Sequence, residues 1–326
     1  MARARRRVVS LAAVGLVLLA ACSREAPNVL DPQAPGAKTV ASVAYLMFGL
    51  ATVVYVIVAA LIIIGALRGT KESRISDNAF IWIGGLVVPS LILAGLAVVT
   101  VKTTDTLRKP DADALKIEVT GYRFWWGVKY PEQNVSTANE IRVPAGRPVE
   151  IALLSEDVIH SFWVPQLAGK VDMVPGQRNV IRFTANKPGE YRGQCAEFCG
   201  LQHAKMAFLV VAEEPGEYER WVIRQQRPRG GPGSEREAAG EQVFMRSSCA
   251  GCHTVRDTEA QGTLGPDLSD FGSRRTLGAV AVENNKANLA GWIANSQSIK
   301  PGNLMPPVTL EPDELLNLLE YLENLR

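Results

Sequence analysis

The sequence predicts a multidomain chain: a two-helix transmembrane hairpin, then a β-sandwich, then an all-α domain. Three observations lead there. Apolar residues crowd into the first hundred positions, and period-two alternation takes over from Leu115. Beyond a Gly/Pro-rich stretch near residue 230 the pattern turns helical. At 326 residues the chain has room for two globular domains besides its apolar segments. A net charge of +2 gives no electrostatic case for nucleic-acid binding.

The start, "MARARRRVVSLAAVGLVLLAAC", has a basic region, an apolar core and small residues before Cys22. Residues 1–21 therefore read as a signal peptide. Leu19-Ala20-Ala21-Cys22 resembles the bacterial lipoprotein cleavage box, in which the cysteine is lipidated and becomes the first mature residue. An uncleaved helix with an incidental thiol is the alternative, but the apolar stretch is short for a span. The hairpin is expected over residues 40–103. Val40 to Leu67 and Ala79 to Val101 each exceed the ~20 residues needed to cross the hydrocarbon core. Arg68, Lys71 and Arg74 in the connecting loop place it in the cytoplasm, although Lys102, Arg108 and Lys109 dilute the asymmetry. A bacterial cell membrane protein with two spans, its remainder on the outer face, is expected.

Residues 112–226 read as the β domain. Leu115, Ile117 and Val119 alternate with polar residues, as do Ile141 and Val143, Val149 and Ile151, and, more loosely, Val180, Ile181 and Phe183. Gly, Pro and Asn punctuate them, and "EYERWVIRQQ" closes the domain as a helix. "RPRGGPGS", within residues 227–235, has the composition of a solvated tether. Residues 236–326 form the helical domain, ending in "LEPDELLNLLEYLENLR" with Leu315, Leu318, Leu319 and Leu322 on one face.

Within that last domain, Cys249-Ala250-Gly251-Cys252-His253 has the C-x-x-C-H spacing of covalent c-type haem attachment. Two thiols bond the porphyrin, and the adjacent histidine falls beneath the iron as one axial ligand. A redox dithiol is the competing reading, but such motifs sit in a βαβ context and this one is helical. No histidine follows His253, so the second axial ligand is a methionine. Met245 lies only four residues before Cys249 and reads as core, leaving Met305 in "PGNLMPP". A His/Met pair raises the reduction potential and suits electron transfer. Gly265-Pro266 is expected to offer a carbonyl to the other nitrogen of His253.

"CAEFCGLQHAKM" gathers Cys195, Cys199, His203 and Met206 in twelve residues, and one further histidine, His160, stands in "SEDVIHSFWVP". A structural zinc would take two cysteines and two histidines and ignore the methionine. A blue-copper ion would take one cysteine, two histidines and a weak methionine. Two thiolates bridging a pair of ions would use every donor, and their softness favours copper. Phe162, Trp163 and Phe198 are expected to shield such a site from water.

The motif C-x-E-x-C-G-x-x-H-x-x-M resembles the copper-A motif of the cytochrome c oxidase subunit II family. The segment around His160 and the two-span hairpin resemble the same family, across roughly residues 40–222. Residues 236–326 resemble class I cytochromes c, as in the fused caa-type variant of that family. The resemblance implies a cupredoxin-like sandwich with two coppers bridged by Cys195 and Cys199, and with His160 and His203 as one ligand each. Met206 and the carbonyl of Glu197 are then weak axial donors, and the Glu197 side chain binds a magnesium ion shared with subunit I. It further implies subunits I and III as partners, and an external electron donor, cytochrome c or quinol:cytochrome c reductase. Family members that oxidise free cytochrome c begin the aromatic run before the copper domain with a tryptophan. Here "GYRFWWGVKYP" puts Phe124 at that place and Trp125 next, as candidate electron-path residues, with Trp126 as packing. A copper-A nitric oxide reductase subunit and a membrane-anchored copper chaperone are the other functions that these motifs admit.

Overall fold

The computed structural model describes residues 28–68 and 76–326. The signal segment, the lipidation candidate Cys22, and Lys71 and Arg74 of the hairpin loop lie outside the described residues.

Two long helices come first, α1 (Pro35–Arg68) and α2 (Asp77–Arg108). Each runs several residues past the expected span. Their large apolar side chains, Phe48, Tyr55, Trp82 and Leu91 among them, are exposed. An apolar surface of that size needs lipid or partner helices. Within α2 the turn Ile81–Val87 widens to π-helical hydrogen bonding. Pro89 follows directly; it lacks an N–H, and its ring crowds the carbonyl four residues back.

Both outer helix ends are tied to the β domain. Gln33 N–H donates to the Gln166 carbonyl at 2.7 Å, with Ala34 and Ala37 buried beside it. Arg182 donates to the Arg108 carbonyl at 3.0 Å. Both ends therefore lie on the side of the sandwich.

The sandwich comprises β1 (Leu115–Tyr122), β2 (Trp125–Tyr130), β3 (Val135–Ala138), β4 (Glu140–Pro144) and β5 (Val149–Ser155), then β6 (His160–Trp163), β7 (Val171–Met173), β8 (Asn179–Phe183), β9 (Gly189–Cys195) and β10 (Ala207–Glu213). One sheet runs β3-β2-β1-β5-β8 and the other β4-β10-β9-β6-β7. The alternation read from the sequence is observed in β1, whose residues are buried at every second position. The aromatic run before the copper motif is itself a strand, β2. Between the sheets Phe208 stacks on Phe162 with ring centroids 4.4 Å apart, and Trp126 meets Phe208 edge-on at 4.9 Å. Helix α3 (Pro215–Gln226) caps the far edge, its Trp221 against Tyr130.

Residues 228–234 have no regular element, yet they are not a free tether. The Arg229 guanidinium bonds Glu241 at 2.6 Å and lies over the Tyr321 ring. Helix α4 (Glu235–Arg246), capped by the Ser234 hydroxyl, packs on α6 (Pro312–Glu323) through Phe244, Leu318, Tyr321 and Leu322. Pro312 opens α6 behind a reciprocal Glu311/Glu314 capping box. Cys249–Cys252 is a separate helical turn, since α4 ends at Arg246, so Met245 and Cys249 lie on different helices despite their four-residue spacing. Between them and α5 (Lys286–Ile299) sits a small hairpin, β11 (Thr276–Leu277) with β12 (Val282–Glu283), which the sequence did not reveal.

Candidate metal centres

Strand β6 brings His160 beside Cys195 at the end of β9, because Phe162 pairs with Cys195 across the ladder. The loop after β9 then folds back through a short 3₁₀ turn, His203–Lys205, into β10. The result gathers the donors predicted from the sequence. Cys195 Sγ and Cys199 Sγ stand 3.8 Å apart, far beyond the ~2.05 Å of a disulfide. Two sulfurs that each bind the same ion at about 2.3 Å can span that distance. His160 Nδ1 is 3.9 Å from Cys195 Sγ, and His203 Nδ1 is 3.9 Å from Cys199 Sγ. Met206 Sδ lies 3.8 Å from Cys199 Sγ, and the Glu197 carbonyl 3.2 Å from Cys195 Sγ. His160 and Met206 are fully buried. The Glu197 side chain is exposed at the rim.

Electrostatics at the cluster follow from this crowding. Hydrogen bonding with Cys199 lowers the Cys195 thiol, while the same contact, together with burial, raises Cys199, so the pair resists losing both protons without a cation. Burial works against a charged His160, but Cys195 and Asp157 outweigh it and hold the ring above its ordinary value. Asp157 is the residue that sequence reasoning missed. Its carboxylate accepts a hydrogen bond from His160 Nε2–H at 2.9 Å and another from the Arg123 N–H at 2.7 Å. The bond from Nε2 leaves Nδ1, on the side of the sulfurs, with its lone pair free for a metal. The signal was present as an acid three residues before the histidine. Gly121 completes the nest: a β-carbon there would stand 2.8 Å from the His160 ring.

Phe162 and Trp126 are buried around the cluster, as expected, and Trp163 is partly so. Phe198 is not a shield. It is 76% exposed and lies tilted against the His203 ring, because its loop turns outward between the two cysteines. Two thiols, two imidazoles, a thioether and a carbonyl fit soft copper better than zinc, which has no use for the last two.

The second centre is a cavity of about 370 Å³ lined by Cys249, Cys252, His253, Met305 and apolar side chains such as Leu268, Ile293 and Leu318. His253 Nδ1 donates to the Pro266 carbonyl at 2.7 Å, the partner anticipated from Gly265-Pro266, which leaves Nε2 for an iron. Gly265 passes so close that a β-carbon would meet the ring at 2.6 Å. Burial lowers the His253 pKa, which favours the neutral ring a metal requires. The Met305 thioether is held by the Trp292 indole N–H at 3.1 Å, and its backbone by Ser296 and Asn303. Trp292 is a second residue missed from sequence. Cavity size, paired thiols, and a His and a Met donor lining the same cavity fit a haem.

Phe124 and Trp125 reach the same cavity from the β domain. Trp125 stacks on Tyr122, with centroids 4.3 Å apart and planes 4° from parallel. Phe124 is buried, its ring 3.2 Å from where a β-carbon on Gly200 would be, next to Cys199.

Comparison with known proteins adds lineage to geometry. The profile of "Cytochrome C oxidase subunit II, periplasmic domain" matches residues 128–213, and that of "Cytochrome c" matches residues 237–326. Cytochrome c oxidase subunit 2 of Alkalihalophilus pseudofirmus is 35% identical, over 98% of this chain and 97% of its own. The same subunit of Bacillus sp. strain PS3 is 31% identical over 74% of this chain and 72% of its own. The crystal structure of the periplasmic domain of cytochrome oxidase subunit II from Bradyrhizobium japonicum covers 36% of this chain and 96% of its own, at 32% identity and a TM-score of 0.35. The chain thus belongs to the cytochrome c oxidase subunit II family, as a form that carries its own cytochrome c domain within a haem-copper oxidoreductase complex.

Proposed function

We propose that this chain is the electron-input subunit of a proton-pumping cytochrome c oxidase, relaying electrons from an external donor to subunit I, where oxygen is reduced. The observation that carries this reading is the presence of two donor sets on one chain, with Phe124 between them. When bound, haem c and the binuclear copper-A centre each accept and release one electron at a time.

Cys249 and Cys252 would hold the porphyrin, and His253 and Met305 would offer their nitrogen and sulfur to its iron. Cys195, Cys199, His160, His203, Met206 and the Glu197 carbonyl would together hold two coppers. Asp157 and Pro266 fix which nitrogen of His160 and of His253 would face a metal. Glu197 has an exposed carboxylate that can reach a magnesium ion at the contact with subunit I. The two helices hold the chain in the bacterial membrane beside subunits I and III, and Cys22 carries the lipid. The external donor is cytochrome c or the quinol:cytochrome c reductase itself.

Metal and optical analysis of the purified full chain is expected to give two coppers and one covalent haem. Zinc, or a single copper, would overturn the copper-A assignment. In rapid mixing with a physiological donor, the haem band is expected to change before the copper band. The reverse order would reject the relay.

A further inference from the structure

The two globular units are seated on one another through polar contacts that flank the haem cavity on two sides. On one side, Glu140 Oε1 accepts the Arg275 and Thr276 N–H groups at 2.7 and 3.1 Å. Thr137 donates to the Asp270 carboxylate, and Arg142 to the Ser273 carbonyl at 3.3 Å. On the other side, the segment 299–301 lies along the copper loop. Lys205 Nζ reaches the Ile299 carbonyl at 3.2 Å, and Gln202 donates to the Pro301 carbonyl.

Lys300 lies at the centre of that second contact and is 2% exposed. Its ammonium donates at 3.0 Å to the Phe124 carbonyl of the β domain and at 3.0 Å to the Gly278 carbonyl of its own domain. Among the described residues no carboxylate lies within 4.0 Å of it. Burying an ammonium against neutral carbonyls alone is costly, so this group is poorly explained as general stabilisation. Its position is better explained by what it ties. The Phe124 carbonyl belongs to the turn between β1 and β2, outside the ladder, where a backbone acceptor needs a partner. The same residue carries the ring that touches Gly200 and lines the haem cavity.

We propose that Lys300 is a positioning residue: it seats the carboxy-terminal domain on the copper domain so that Phe124 is fixed between the haem cavity and the Cys199 segment. This rests on the relay proposed above and adds its geometry. A single seated arrangement replaces a search by a tethered domain, and Lys300 is the tie that crosses directly to the intervening aromatic.

The test uses the full chain with a protease site inserted after Gly231. Once the linker is cut, the unmodified domains are expected to co-elute at micromolar concentration. Lys300→Met keeps the apolar stem and removes both bonds, and its cut domains are expected to associate at least tenfold more weakly. In the uncut, metal-loaded chain, pulsed EPR of the oxidised centres is expected to give one narrow copper–haem distance. With Lys300→Met that distribution broadens and haem-to-copper transfer slows about tenfold, while both optical spectra stay unchanged. Lys300→Gln, one bond too short to reach both carbonyls, serves should the methionine variant not fold, and most of the association is expected to be lost with it too. Undiminished association and an unbroadened distance in a folded variant would overturn the proposal. If the copper centre does not form in the haem-loaded chain, the relay fails, while the cleavage arm still decides the role of Lys300.

Discussion

The two metal-binding regions reach readiness by different routes. In the β domain the donors are assembled by backbone: β6, β9 and the following loop converge six ligand atoms on a cluster that is already packed, with Phe162 and Trp126 closing the core behind it. In the carboxy-terminal domain the donors line a cavity of about 370 Å³ walled mostly by apolar side chains, the shape of a site for a large apolar cofactor. The first region needs its metal for chemistry. The second needs its cofactor to have an interior at all.

The largest expected effect tests that contrast directly. At about 24 cal/mol per Å³ of residual void, a cavity of about 370 Å³ left unfilled costs several kcal/mol, comparable to a small domain's whole stability. Replacing Cys249 and Cys252 by serine, so that no haem is attached, is expected to abolish cooperative unfolding of residues 236–326. Hydrogen exchange should show β1, β5 and β10 protected as before. Equal loss of protection in both domains would break the comparison.

A smaller effect is expected at the copper cluster. Asp157→Asn removes the carboxylate from His160 Nε2, and Gly121→Ala pushes a methyl into the ring. Each is expected to weaken copper binding roughly tenfold to a hundredfold, the usual range for an outer partner of a ligating histidine. The melting temperature of the sandwich should hardly move, since the cluster's frame is the sheet. Competitive copper titration with calorimetry on the same samples measures both.

The smallest effect sharpens the point that the sandwich stands without metal. Burial pushes the Glu150 carboxyl up, but Lys116 at 3.0 Å and Arg182 at 2.7 Å outweigh it, so the net value is lowered. A lowered carboxylate stabilises the fold above its unfolded value near 4.5 and loses that contribution as the pH falls through the folded value. Glu150→Gln should flatten the acid limb of stability below about pH 4.5 and cost about 1 kcal/mol at neutral pH, since these half-buried pairs keep contact with solvent. Denaturant melts across pH read this.

Much of the fold was legible because one face of many strands meets water. β1 shows its alternation for that reason and β5 and β8 in part, whereas β4 is buried on both faces except at Arg142. β10 did not stand out, since six of its seven residues are buried and a run such as AFLVVA has no period to read. The metal donors were legible because cysteine, histidine and methionine are scarce and clustered. Among their outer partners the Pro266 carbonyl was legible beside the haem motif, but Asp157 and Trp292 were not, since they are ordinary residue types. The docking was hidden for another reason. Its contacts join residues distant in sequence, 133 positions apart for Thr137 with Asp270 and 94 for Lys205 with Ile299, and a Gly/Pro linker signals only freedom. Lys300 in a Gly/Pro loop looks solvated, and only the partner domain buries it.

The anchoring of the sandwich at Gln33 and at Arg108 has a mechanical consequence. Standing on two stilts instead of one, the sulfur cluster cannot swivel about a single stem or change altitude without fraying a helix end. Bilayer thickness and helix tilt would then set how high above the lipid headgroups the redox centre is carried.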